Sequence, residues 1–246
     1  MGEHTIWRSE MNFDTIKLSE PQPGIRQLSL YRPEKRNAIS IQMRQEIIDC
    51  LKALEGDEKV VALIITGDGP SFSAGFDLGE FAQAEKAKDL ALSSKEYHRA
   101  VYNFPKPVIG AINGFAFGGG FDLATLCDFR LCSSTAVFGH PEVKFGGHPI
   151  ITPLRWIVGE GLARDLCFTG RHIKADEAHR IGLVSEVHEP DALMPRVMEF
   201  ATMLLEGPPL TLAETKAYMN ETVALDFEGA FLKEHDYFFD RKFLGK

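Results

Sequence analysis

Alternating apolar and polar residues mark the first elements of the chain. Residues 13–18 and 25–30 each alternate in this way, which is typical of strands that expose one face. The stretch 21–24 between them contains two prolines and a glycine, so we predict a β-hairpin. Apolar residues then recur at helical spacing, and we predict a helix that is capped by Ser40 and ends at Gly56.

Two short runs of continuously apolar residues follow, at 60–65 and 107–112. Such runs are typical of strands that are covered on both faces, as in parallel sheets. The stretches 79–88 and 89–103 between them are compatible with helices. This alternation of strands and helices predicts an α/β core.

The remainder of the chain changes from mixed structure to helix. Short strands are expected at 129–132, 136–138 and 183–187, and helices at 150–158, 161–168 and 174–181. From residue 191 onward the apolar spacing is helical. We therefore predict an α/β core over residues 1–190 and a helical C-terminal region over residues 191–246.

Composition excludes some classes of protein. Apolar residues make up 44% of the 246 residues and charged residues 25%, which is ordinary for a globular protein. The formal net charge of −8 argues against nucleic-acid binding, because such proteins need a basic face. No apolar run approaches the roughly 20 residues that cross a bilayer, and the N-terminus has no secretory pattern. We expect a cytoplasmic protein that neither binds nucleic acid nor enters a membrane.

Cysteine spacing gives no sign of a metal site or a disulfide. The four cysteines, at 50, 127, 132 and 167, form no CxxC pair. Three lie in apolar surroundings, as expected of small buried residues in a reducing compartment. We expect neither a disulfide nor a bound metal.

A glycine-rich stretch at 113–123 is the most distinctive local feature. Three consecutive glycines, 118–120, follow an apolar strand-like run and precede a helix-compatible run. One interpretation is a tightly packed turn. The other is a site where the free N–H groups of the first helical turn meet an anion or a developing oxyanion.

Five blocks of sequence, taken in order, resemble a known family. They are residues 32–38, 71–78, 113–123 with 127–128, 138–142, and 169–184. Together they resemble the crotonase superfamily, which is also called the enoyl-CoA hydratase/isomerase family. The resemblance covers about residues 13–190, and the helical C-terminal region matches in kind.

This resemblance implies a fold, a substrate and an assembly. The fold is a spiral of ββα units with a helical C-terminal region that trimerises, often into a dimer of trimers. The substrate is an acyl-CoA thioester, and the chemistry needs no metal and no redox cofactor, since coenzyme A enters as part of the substrate.

Aromatic residues in the C-terminal region bear on the assembly. They are Phe227, Phe231, Tyr237, Phe238, Phe239 and Phe243. They can pack onto their own domain or across a subunit boundary, where aromatic residues are enriched. We favour a homo-oligomer.

The resemblance also implies binding residues. By position, the backbone N–H groups of Phe76 and Gly119 form the oxyanion hole, which agrees with the second interpretation of the glycine stretch. The candidate coenzyme A contacts are Lys35, Arg36, Ala38, Ala74, Phe76 and Leu78. Lys35 and Arg36 are candidates for the phosphates, and the alternative is that they are solvated loop charges.

Two carboxylates occupy the positions of the hydratase acid and base. Glu142 follows a His-Pro pair and matches the family, whereas Asp122 is one methylene shorter than the family glutamate. We predict hydration of a 2-enoyl-CoA with both carboxyl groups as acid and base. The alternatives are isomerisation of a 3-enoyl-CoA with Glu142 as the sole base, and a non-catalytic coenzyme A-binding protein.

Two histidines flank Glu142. His148 is either a polar or proton-transferring residue of the acyl pocket or a hydrogen-bonded loop histidine. His140 is interpreted as structural.

Overall fold

The computed structural model describes residues 12–81, 83–235, 238 and 243. The strands are β1 (Ile16–Gln22), β2 (Ile25–Leu30), β3 (Ala62–Gly67), β4 (Ser71–Ser73), β5 (Val108–Ile112), β6 (Phe115–Phe117), β7 (Phe129–Ser133), β8 (Val137–Gly139), β9 (Ile173–Lys174) and β10 (Glu186–His188). The α-helices are α1 (Ile41–Glu55), α2 (Leu78–Phe81), α3 (Ala87–Asn103), α4 (Gly119–Leu126), α5 (Ile151–Val158), α6 (Glu160–Thr169), α7 (Ala175–Arg180), α8 (Pro190–Leu204), α9 (Pro209–Thr222) and α10 (Phe227–His235). Short 3₁₀ helices lie at Pro33–Lys35, Ala84–Lys86 and Pro141–Phe145.

Two sheets organise the described part of the chain. One contains six strands in the order β1-β2-β3-β5-β7-β10, and the other contains four in the order β4-β6-β8-β9. The pairs β3–β4, β5–β6 and β7–β8 each put one strand into the larger sheet and the next into the smaller sheet, and helical structure follows. The chain thus winds as the expected spiral of strand–strand–helix units.

The hairpin and the first helix confirm the predictions made from local patterns. β1 and β2 pair antiparallel, although β1 continues through Pro21 to Gln22. Proline is tolerated there because β1 lies at the edge of the sheet, and the register shifts at this point. The Ser40 hydroxyl accepts a hydrogen bond from Met43 N–H at 3.1 Å, and Gly56 caps the other end of α1.

Strand β3 is covered on both faces, as its continuous apolar run predicts. Leu63 and Ile65 point into a large cluster that includes the buried face of α1. Ala62 and Ile64 point the opposite way, into a second cluster with Val197 of α8. The first helix of the C-terminal region therefore packs directly on the larger sheet.

A nearly buried ion pair attaches α9 to the core. Lys216 Nζ lies 2.6 Å from Asp128 Oδ2 and donates to the Lys106 carbonyl at 3.1 Å. The same Asp128 oxygen accepts a hydrogen bond from Val108 N–H at 2.7 Å. The Lys216 ammonium group thus binds the Asp128 carboxylate and the Lys106 carbonyl at the start of β5.

The glycine stretch differs from the predicted direct junction between strand and helix. After β5 the chain turns at Gly114 and forms the three-residue strand β6 before α4 begins at Gly119. A Cβ atom on Gly114 would lie 2.1 Å from the Pro70 carbonyl oxygen, so the turn packs against the neighbouring loop. Three residues are too few for the period of an extended strand to be recognised in the sequence.

Part of the aromatic C-terminal region is exposed. Phe227 is 84% exposed, and its ring stacks on Phe231 with the centroids 5.9 Å apart. The Phe238 ring lies 5.0 Å from that of Tyr218. Tyr237 and Phe239 lie outside the described residues, as do positions 1–11. No helix in the described ranges has the length and apolar character needed to cross a bilayer.

Candidate active site

The predicted site residues follow the ends of three parallel strands. β4, β6 and β8 lie side by side and run in the same direction. Phe76 lies beyond the end of β4, Gly119 beyond β6, and Glu142 beyond β8. Because parallel strands end at the same edge of a sheet, these segments converge.

The two predicted oxyanion-hole segments are in contact. Gly75 has a φ of +95°, and a Cβ there would lie 2.7 Å from the Phe117 carbonyl oxygen and 3.3 Å from the Gly119 nitrogen. Ile39 bonds to the backbone on either side of Phe76, through Gly75 O and Asp77 N. The Phe76 N–H therefore points away from Ile39, and it donates to no other described residue. Gly119 N–H, in the first turn of α4, has no intrahelical acceptor.

The Phe76 ring explains why residue 119 is glycine. A Cβ on Gly119 would lie 2.7 Å from Phe76 Cδ1, which is too close for any side chain. The Arg44 guanidinium lies 4.1 Å from the centre of the same ring, and the His98 ring lies 5.7 Å from it. Burial, together with the Arg44 charge, lowers the pKa of His98 to about 4, so this ring is neutral at pH 7.

Asp122 is buried in the first turn of α4. Its side chain is 6% exposed, and Oδ1 accepts a hydrogen bond from Ile150 N–H at 3.3 Å. Burial raises the pKa of Asp122 to about 7; His140 opposes this shift, and the negative charge of Glu142 adds to it. At neutral pH a large share of the protein therefore carries a protonated Asp122.

Glu142 presents one bonded and one unbonded carboxyl oxygen. Oε1 lies 2.9 Å from Nδ1 of His140. Oε2 is buried and has no hydrogen-bond partner among the described residues. A Cβ on Gly118 would lie 3.2 Å from Oε2, so this oxygen faces the glycine turn.

His140 lies between the two carboxyl groups. Its ring is fully buried and packs on Phe121 with the centroids 4.7 Å apart. Nδ1 contacts Glu142, and Nε2 lies 3.8 Å from Asp122 Oδ1. From the sequence His140 is interpreted as structural, and its position between two carboxyl groups is not predicted. The available signal was its placement two residues before Glu142, with a proline between them.

The candidate coenzyme A contacts come from two segments that lie together. Ala74 N–H donates to the Arg36 carbonyl at 2.9 Å. Arg32 donates to the Ala38 carbonyl at 2.6 Å and to Asp77 Oδ2 at 2.9 Å. Exposed positions are Lys35, Arg36, Ala74 and Leu78, and half-buried positions are Ala38 and Phe76.

The segment after Glu142 reaches Asp122 through its backbone. Ile150 provides the N–H described above. His148 is exposed and makes no side-chain hydrogen bond within the described part of the chain.

The four cysteines are buried with free thiols. Across the described ranges no three His, Cys, Asp or Glu side chains are grouped as metal ligands.

Comparison with known proteins agrees with the fold. The model of the family described as enoyl-CoA hydratase/isomerase matches residues 20–241. A crotonyl-CoA hydratase of Syntrophomonas wolfei subsp. wolfei is 39% identical over 238 residues, which are 93% of this chain and 90% of the relative. A short-chain-enoyl-CoA hydratase of Clostridium acetobutylicum is 36% identical, over 89% of this chain and 86% of the relative.

A solved structure extends the comparison to three dimensions. The crystal structure of an enoyl-CoA hydratase from Bacillus anthracis superposes with a TM-score of 0.88 at 28% identity, covering 92% of this chain and 90% of that one. The crotonase-like α/β fold with its helical C-terminal region is thereby confirmed. The chain belongs to the enoyl-CoA hydratase/isomerase family of enzymes, the crotonase superfamily.

Proposed function

We propose that the protein hydrates a 2-enoyl-CoA thioester. The observation that carries this proposal is the convergence of Asp122 and Glu142 on the glycine turn, where the N–H groups of Phe76 and Gly119 have no acceptor among the described residues. The relatives that are named crotonyl-CoA hydratase and short-chain-enoyl-CoA hydratase support the substrate class.

The two backbone N–H groups stabilise the thioester oxygen. Addition of water to Cβ moves negative charge onto that oxygen, and both amides are already fixed in place to receive it. Each donor of an oxyanion hole contributes about 2.7–4 kcal/mol to the transition state. The close contact between Phe76 and Gly119 keeps the pair together without substrate.

The two carboxyl groups divide the proton transfers. Glu142, with its unbonded Oε2, takes a proton from the attacking water. Asp122, whose raised pKa of about 7 keeps a large share of its carboxyl groups protonated near neutral pH, supplies a proton to Cα. One water is added across the double bond, and no electrons pass to an acceptor. The proposed reaction therefore uses no redox cofactor, and with amides as the electrophilic groups it uses no metal.

Coenzyme A is held by the two joined segments. We assign its phosphates to Lys35 and Arg36, which are exposed and basic. Its adenine lies along the segment from Ala74 to Leu78, and Ala38 lies behind it.

Isomerisation of a 3-enoyl-CoA is the second candidate. It needs one base that moves a proton between Cα and Cγ. The specific observation in its favour is that Glu142 Oε2 faces the turn without a hydrogen-bond partner among the described residues, whereas Asp122 is shorter and its Oδ1 is engaged by Ile150 N–H. A purely binding role is disfavoured, because a buried carboxylate oxygen without a partner is costly and coenzyme A binding does not need it.

We infer further that the protein forms a homotrimer or a dimer of trimers. Large apolar side chains of the C-terminal helices are exposed in the single chain, among them Leu210 at 69%, Met219 at 66% and Phe227 at 84%. Light scattering during gel filtration tests this assembly, and a monomeric mass would contradict it.

The deciding experiment is a panel of acyl-CoA thioesters followed by mass spectrometry. We expect 2-enoyl thioesters to gain one water, while saturated controls remain unchanged. Glu142→Gln keeps the side-chain volume but removes the base, and we expect it to abolish turnover while coenzyme A binding persists. Double-bond migration without a mass gain would replace hydration by isomerisation. Full activity of Glu142→Gln on every active thioester would refute both.

A further inference from the structure

We propose that His140 is a positioning residue that forces Asp122 and Glu142 into opposite protonation states, so that one is the acid and the other the base. The inference rests on the proposed function, because it assigns a role within the same pair of carboxyl groups. It concerns a residue that does not itself touch the substrate.

The geometry places one ring nitrogen against each carboxyl group. Nδ1 lies within hydrogen-bond distance of Glu142 Oε1, at 2.9 Å. Nε2 is buried, has no hydrogen-bond partner among the described residues, and lies 3.8 Å from Asp122 Oδ1. An approach of about 1 Å makes the second contact a hydrogen bond. The ring is completely buried, so solvent cannot satisfy the free nitrogen.

A neutral imidazole has one donor and one acceptor. When Nδ1 carries the hydrogen it donates to the ionised Glu142, and Nε2 is left as an acceptor that favours a protonated Asp122. When Nε2 carries the hydrogen, the preference is reversed. Each tautomer therefore fits one carboxylate and one carboxylic acid, and neither fits two of the same kind. The tautomer with hydrogen on Nδ1 fits the state before hydration, in which Glu142 is ionised and Asp122 is protonated. The tautomer with hydrogen on Nε2 fits the state after hydration, in which Glu142 is protonated and Asp122 is ionised.

Two other titratable groups that interact with Asp122 remain uncharged over the relevant range. Tyr97 of α3 and Cys167 of α6 both interact with Asp122. Burial raises the pKa of Cys167 to about 11 and that of Tyr97 far above its usual value. Neither group therefore adds a charge beside Asp122 between pH 5 and pH 8.

Kinetic pH profiles of two variants test the inference. His140→Phe keeps an aromatic ring against Phe121 but removes both nitrogens, whereas His140→Gln keeps one donor group and one acceptor. The wild-type enzyme should show a broad bell-shaped profile of kcat/KM, because the singly protonated pair is stabilised. In His140→Phe we expect the acid and alkaline limbs of the profile to move toward each other, so that the bell becomes narrower. We expect kcat/KM at the optimum to fall by about 10- to 100-fold. His140→Gln should restore the width of the kcat/KM pH profile.

A structural role would give a different result. It would lower the rate of both variants without moving the limbs, and that outcome would overturn the inference. If the limbs of the kcat/KM profile lie at the same pH in wild type and His140→Phe, the inference is likewise overturned.

A measurement without substrate separates this inference from the proposed function. The ¹⁵N chemical shifts of the His140 ring report its tautomer in the free protein. We expect a step near pH 7 that follows the ionisation of Asp122 and disappears in Asp122→Asn. If no thioester is hydrated, the proposed function fails, yet this step still supports coupling of the pair by His140. The absence of the step in wild type, or its persistence in Asp122→Asn, would refute the coupling.

Discussion

The ring of Phe76 occupies the space that a side chain on Gly119 would fill, with Cδ1 only 2.7 Å from the position of such a Cβ. Gly119→Ala therefore forces the ring to shift and should disturb the proposed oxyanion hole beside it. We expect kcat on the active enoyl-CoA to fall by about 10²–10³, the cost of losing one donor. Steady-state kinetics measures this loss.

Gly56→Ala is the matched control for that change. Gly56 ends α1 with a φ of −79°, and a Cβ there would meet no atom within 4 Å. We expect unchanged kinetics and unchanged or slightly raised thermal stability. Equal activity of Gly119→Ala and Gly56→Ala would show that residue 119 is not part of the site.

Asp122→Asn separates hydration from isomerisation. The amide has nearly the same shape but cannot release a proton, so we expect hydration to slow by about 10²–10⁴. Isomerisation of a 3-enoyl-CoA, if the protein performs it with Glu142 alone, should be nearly unaffected. Parallel assays on 2-enoyl and 3-enoyl substrates check this, and an undiminished hydration rate would remove Asp122 from the mechanism.

The raised pKa of Asp122 also predicts how stability depends on pH. In the folded protein this pKa is about 7 instead of 3.8, so the folded state binds the proton more tightly than the unfolded state. The stabilising contribution is complete below pH 3.8 and is lost as the pH rises toward 7. Asp122→Asn lacks this loss, so its melting temperature relative to wild type should rise from pH 5 to pH 8.

Thermal unfolding at those two pH values provides the measurement. Glu206→Gln removes an exposed carboxyl group and serves as the control, for which we expect a much smaller pH-dependent difference. A constant difference between Asp122→Asn and wild type at both pH values would contradict the assignment of a protonated aspartic acid.

Lys35→Ala tests the binding of the coenzyme A phosphates. Lys35 is exposed, so the phosphate contact proposed for it should be weak and screened by salt. We expect KM to rise about two- to fivefold at low ionic strength with kcat unchanged, and the effect should shrink in high salt. Lys52→Ala, which removes an exposed lysine from the last turn of α1, should leave KM unaltered. The same KM in both variants would show that Lys35 is a solvated loop charge that does not bind the phosphates.

The elements with local signals could be predicted from the sequence. Helix α1 lies within its predicted caps because both depend on adjacent residues. The hairpin and the doubly covered strand β3 were recognisable from alternation and from a continuous apolar run. The ordered sequence blocks led to the fold, which no single block could have done.

The missed features depend on contacts between distant parts of the chain. Strand β6 has three residues and exists because β4 and β8 lie on either side of it. The predicted strand at 183–187 is instead a turn followed by β10 (Glu186–His188), and Leu183 N–H bonds back to the Ala178 carbonyl. The contact of His140 with Glu142 had a local signal, but its approach to Asp122 could not be predicted, because Asp122 reaches it only once α4 packs against the segment after β8.

The spiral path of the chain sets the order in which the site is completed during synthesis. The unit β3–β4 leads to Phe76, the unit β5–β6 to Gly119 and Asp122, and the unit β7–β8 to Glu142. A nascent chain that has finished only the first two units carries Phe76 and Gly119 but lacks Glu142, the proposed base. On the proposed mechanism, translation products that end before β8 should therefore not turn over thioesters.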